Sequence, residues 1–188
     1  SRLLEVAIED QGQFFPFVLR LHASPERRGP LRPWIRALES LRGHSLAATL
    51  APLHTAMERA LAPQALGTLN DLDQALEGVE NALISVGRSA PLLIAFDDLQ
   101  WADAHSLTLL SMLLERAGAQ GSVRLLVLAA VRDEPNAPAH LKAFLRRARL
   151  AKGLQRIPLE ALSVDEATEF VESLCPMTRD LRRALLRV

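Results

Sequence analysis

Leu92-Leu93-Ile94-Ala95-Phe96-Asp97-Asp98-Leu99-Gln100-Trp101-Ala102-Asp103 is the stretch on which the reading of the fold turns. Five apolar residues in a row, introduced by the break Ser89-Ala90-Pro91, predict a strand. The run is continuous rather than alternating, which places it in a sheet covered on both faces, the usual state of a parallel sheet. Two carboxylates follow at once, at the carboxyl end of the strand, where α/β sheets hold their ligands. Neighbouring strand residues point to opposite faces, so Asp97 and Asp98 are not equivalent.

Upstream, residues 2–9 read as a helix, 14–21 as an aromatic and aliphatic strand, and 24–33 as a loop rich in Pro, Gly and Arg. Helical patterns follow at about 32–42, 46–62 and 71–87. The last carries Leu72, Leu76, Val79, Leu83 and Val86 at helical spacing. Downstream, residues 104–117 place Leu107, Leu110, Leu113 and Leu114 on one helical face. Residues 125–131 form a second continuous apolar strand, expected to be buried on both faces.

Residues 154–159 read as a last strand, and Pro158, which cannot donate to a ladder, puts it at a sheet edge. Ser163-Val164-Asp165-Glu166 has the form of a capping box that starts a helix with apolar Val164, Ala167, Phe170, Val171 and Leu174. Strands alternating with helices make the class α/β, with a three-layer parallel sheet.

Composition narrows the function. The chain has 188 residues, 49% hydrophobic and 23% charged, which suits one globular domain. Lys plus Arg and Asp plus Glu both total 22, so the formal charge is zero, unlike a domain that grips nucleic acid through its phosphates. Arg146, Arg147 and Arg149, and Arg179, Arg182, Arg183 and Arg187, therefore read as solvated faces or partner contacts. No apolar run approaches the ~20 residues that span a bilayer. No signal peptide is evident, and the single Cys175 suits a reducing compartment, so the cytoplasm is the expected location. His22, His44, His54, His105 and His140 are too scattered to suggest a metal site.

An Asp-Asp pair after a buried parallel strand has two readings. In a nucleotide site the first acid would hold magnesium and the second would orient the attacking water. The dipeptide alone also fits a turn that caps the next helix.

The segment from Phe96 to Asp103, followed by Ser106-Leu107 and Leu109-Leu110, resembles the Walker B region of the signal-transduction ATPases called STAND proteins. It is most similar to those in large LuxR-type transcriptional regulators and in ATPase modules fused to bacterial adenylate cyclases or kinases. Pro33-Trp34 leading into Ala37-Leu38 resembles the start of that family's helical insertion, here at about 31–87. Val131-Arg132-Asp133-Glu134 resembles its sensor strand, whose arginine reads the terminal phosphate. Ile157-Pro158-Leu159 to Leu162, then Glu166-Ala167, resembles the passage from the ATPase core, 1–162, into the helical lid, 163–188.

The resemblance implies a core strand order of 5-1-4-3-2, with residues 154–159 as the fifth, edge strand. It implies ATP and Mg2+ as ligands, with Asp97 and Ser1 at the metal, Ser1 and Arg132 at the nucleotide, and Asp98 as the catalytic, water-orienting acid. The implied activity is a slow ATPase that switches a regulatory or transcriptional output. The implied partners are ATP, ADP, other domains of the same parent chain and further copies in a homo-oligomer, with neither nucleic acid nor membrane.

One departure stands out. A phosphate-binding loop needs Gly-x-x-x-x-Gly-Lys-Ser/Thr, whose glycines let backbone amides face the phosphates. The only lysines are Lys142 and Lys152, and neither follows a glycine. Ser1-Arg2-Leu3-Leu4 resembles the family's continuation just after the loop lysine. The first strand and the loop are accordingly expected to precede Ser1, and 177–188 to stop short of the lid's Gly-Asn-Pro segment. Such a fragment is expected to be inactive alone. The rival reading is a nucleotide-free interaction scaffold on a degenerate ATPase fold, which the missing loop favours. Direct DNA binding would need a helix-turn-helix, and the sequence contains none.

Overall fold

The strand expected from the deciding stretch is the middle strand of the sheet. β1 (Phe17–His22), β2 (Leu92–Asp97) and β3 (Leu125–Ala129) form a parallel sheet in the order β1-β2-β3. The structure is a computed structural model that describes residues 1–26, 29–40, 55, 69–150 and 153–174. Around the sheet run α1 (Arg2–Gln11), α2 (Arg32–Glu39), α3 (Leu69–Ser89), α4 (Ala104–Ala119) and α5 (Ala139–Leu150). A further helix, α6 (Val164–Leu174), lies in a second compact unit, since the chain divides into residues 1–154 and 155–188.

The pleat of β2 sorts its side chains into two layers. Leu92, Ile94 and Phe96 join Phe17, Leu19 and Leu21 of β1, Trp34 and Leu38 of α2, Leu83 of α3, Leu110 of α4 and Leu141 of α5 in the main core. Leu93 and Ala95 face the other way, onto Ile8 of α1, with Val18 and Leu128 packed beside them. A strand apolar from Leu92 to Phe96 thus needs helices on both faces, and has them. This is the α/β, three-layer arrangement expected, and the order β3-β2-β1 follows the 4-3-2 part of the implied core.

α3 buries Leu76, Val79, Leu83 and Val86, the face read from its periodicity. Its end runs close against the lead into β3. A Cβ at Gly87 would lie 2.9 Å from Cγ1 of Val123, and the Gly87 carbonyl accepts from the Arg124 amide at 2.9 Å. The capping box is also formed: Glu166 Oε2 accepts from the Ser163 amide at 2.8 Å, and Ser163 Oγ from the Glu166 amide at 3.2 Å.

Two expectations need correction, and one helix is added. Residues 125–131 give a strand only to Ala129, and it is half-buried, with Leu126 37% exposed. Among the described residues β3 is an edge strand, so less covers it than covers β2. Residues 154–159 form no strand; Ile157 and Leu159 are each 72% exposed. An apolar run becomes a strand only against a partner, and Pro158 offers no amide to one. α5 had not been assigned: Leu141, Phe144 and Ala148 carry its buried face, set among Lys142, Arg146, Arg147 and Arg149, which obscure the period. The arginines of α5 lie on its exposed side, as read. The helix expected at about 46–62 and the segment 177–188 lie outside the described residues, apart from Thr55. No helix among the described residues is long and apolar enough to cross a membrane.

Candidate functional site

Parallel strands leave the sheet at one edge, and backbone hydrogen bonds stitch these three exits together. The β1–β2 register sets His22 opposite Asp97. The Ala23 amide donates to the Asp97 carbonyl at 3.2 Å, the Ala130 amide to the Phe96 carbonyl at 2.9 Å, and the Leu99 amide to the Ala130 carbonyl at 2.9 Å. Arg132, three residues beyond β3, is carried to the same edge as Asp97 and Asp98.

Asp97 points one oxygen back at its own chain, where Oδ1 accepts from the Asp98 amide at 3.1 Å. Its Oδ2 accepts from the backbone nitrogen of Ser1, which brings the start of α1 to the end of β2. Ser1 is the N-cap of α1, and its hydroxyl makes no capping bond, so the start of this helix borders the acid pair.

Asp98 sits at φ 54°, a left-handed conformation that Asp tolerates better than most residues, and opens the short 3-10 turn Leu99–Trp101. Its Oδ1 accepts from Gln100 Nε2 at 2.8 Å and lies 3.9 Å from Arg132 Nη2. Its Oδ2 lies 3.8 Å from His22 Nδ1. Gln100 is only 3% exposed, and both ends of its amide are used: Oε1 accepts from the Arg132 backbone amide at 3.1 Å. The structure therefore gathers Ser1, Asp97, Asp98 and Arg132, every site residue named from the sequence, at one sheet edge. It adds His22 and Gln100, which sequence reading passed over. The scattered histidines gave no hint that His22, Asp97 and Asp98 offer ligand atoms within 4.8 Å of one another. A clue was available, since β1 and β2 must end together if they are parallel neighbours.

A family model described as AAA ATPase domain matches residues 1–128. The chain belongs to this family. No curated protein and no solved structure matches it. Membership makes nucleotide binding the function class, and AAA ATPase domains generally use ATP with Mg2+. The chemistry of the edge fits that metal, since the Asp97 carboxylate is a hard oxygen ligand of the kind Mg2+ takes.

The rest of the AAA ATPase domain's deciding stretch is structural. A turn in which the Asp-Asp pair caps the next helix is not what forms, because the cap of α4 is Asp103. Its Oδ1 accepts from the Ser106 amide at 3.0 Å and the Leu31 amide at 3.3 Å, and its Oδ2 from the Ser106 hydroxyl at 2.6 Å. Trp101 is 41% exposed. The buried indole is Trp34.

Proposed function

We propose that this AAA ATPase domain is the Mg2+-ATP module of a larger regulatory ATPase, in which slow turnover switches a signalling or transcriptional output. The observation that carries the nucleotide site is the convergence of Asp97, Asp98 and Arg132 at one edge, with Arg132 Nη2 3.9 Å from Asp98 Oδ1. In this reading Asp97, with the Ser1 hydroxyl, holds Mg2+, which when bound offsets phosphate charge. Asp98 orients the attacking water through the oxygen that Gln100 leaves open. Arg132 reaches the terminal phosphate.

The strength of the present contact supports that last role. The Arg132 side chain is 70% exposed, and an exposed ion pair is worth only ~0–1 kcal/mol. A phosphate offering two oxygens to the guanidinium competes easily with it. ADP, other domains of the same parent chain and further copies of the chain are the partners this reading requires. The transcriptional or signalling output rests on the STAND resemblance of the Phe96–Asp103 region.

Calorimetry of ATP and ADP in the presence of Mg2+, made on the whole protein, tests the proposal. ATP binding that depends on Mg2+ and is lost in Asp97→Asn is the expected result. An absence of binding, or binding that Asp97→Asn leaves unchanged, would return the fold to the scaffold reading.

A further inference from the structure

We infer that Gln100 is a positioning residue that ties the carboxylate of Asp98 to the main chain carrying Arg132, so that the two move as one unit. Its primary amide can serve both ends, because it donates and accepts through a single planar group. Nε2 donates to Asp98 Oδ1 at 2.8 Å, and Oε1 accepts from the Arg132 amide at 3.1 Å. Burial matters here. At 3% exposure Gln100 has almost no water to replace a lost partner, so a bond left unmade there is costly.

The tether has two functional consequences, and both rest on the nucleotide reading above. Donation to Oδ1 leaves Oδ2, 3.8 Å from His22 Nδ1, as the oxygen of Asp98 that a water would meet. Acceptance from the Arg132 amide fixes where the arginine leaves the sheet edge, and thereby how it meets a terminal phosphate. Displacing Arg132 toward a phosphate pulls on the amide that orients Asp98.

The tether itself can be read without nucleotide. Leu99, Ala130 and Arg132 all present amides in this turn, but the first two donate to backbone carbonyls and only Arg132 donates to the Gln100 side chain. In the whole protein, Gln100→Met, which keeps the volume and removes both hydrogen bonds, should speed hydrogen exchange at the Arg132 amide at least tenfold. The Leu99 and Ala130 amides should keep their protection. Gln100→Glu retains the acceptor and should keep Arg132 protected, while losing the donation to Asp98. With Mg2+-ATP, Gln100→Glu should lower kcat about tenfold with KM little changed, and Gln100→Met should also lose preference for ATP over ADP.

Unchanged exchange at Arg132 in Gln100→Met overturns the inference. So does a joint loss of protection at all three amides, or loss of the native fold in both variants, since each would mark Gln100 as a plain core residue. If the whole protein binds no ATP, the nucleotide reading fails, while the exchange pattern still decides the tether.

Discussion

The indole nitrogen of Trp34 donates to the carbonyl of Ser106 at 3.2 Å, fastening α2 to the first turn of α4. Both residues are buried, and Trp34 is among the largest fully buried side chains. Trp34→Phe keeps most of the apolar contact and leaves the Ser106 carbonyl without this donor, at an expected cost of ~1–3 kcal/mol. Trp34→Ala also opens a cavity and should cost ~3–5 kcal/mol. Denaturant midpoints of the two variants check the ranking, and equal losses would contradict it.

Asp103 serves three donors on two elements, so its removal should exceed the loss of an ordinary helix cap. Asp103→Ala is expected to cost ~2 kcal/mol, the upper end for caps, because it also frees the amide of Leu31. Leu31 is buried at φ 57°, a strained conformation for leucine that this bond helps to hold. Asp103→Asn, which keeps an acceptor oxygen, should lose clearly less in the same unfolding experiment.

The capping box of α6 predicts a pH dependence. The Ser163 amide, and after it the Ser163 hydroxyl, holds the Glu166 carboxyl below its usual 4.5. A carboxyl depressed on folding binds its proton less readily folded than unfolded, so its stabilising effect is present above 4.5 and fades as pH falls through the lower folded value. NMR titration should place the Glu166 midpoint below 4.5. Ser163→Ala should return it only part of the way, because the backbone donor remains. A wild-type midpoint at or above 4.5 would show that the box is not closed in solution.

Asp98 and Arg132 should separate binding from turnover. Asp98→Asn keeps an oxygen that can accept from Gln100, so ATP binding is expected to persist while hydrolysis falls by about a hundredfold, the scale of a lost acid–base group. Arg132→Ala should weaken ATP by about tenfold or more and spare ADP, since a charged hydrogen bond is worth ~1.5–3 kcal/mol. Equal weakening of both nucleotides would remove Arg132 from the terminal phosphate.

Local pattern was enough for the α/β class, for β2, for α3 and for the capping box. Each of these is written within a single element: an unbroken apolar run demands cover on both faces, helical spacing demands one buried stripe, and Ser163 needs only a residue three positions on. Long-range pairing was out of reach for the same reason. Residues 154–159 have the composition of a strand, yet a strand exists only against a partner edge, and none of the described strands pairs with them. His22 became part of the site because β1 and β2 align it with Asp97, and that register belongs to two strands at once. Gln100 lies in a segment whose family resemblance was plain, but its role depends on where the chain beyond β3 passes. Burial and hydrogen bonding between distant residues are properties of the assembled sheet, and only assembly could turn a polar loop residue into the link between Asp98 and Arg132.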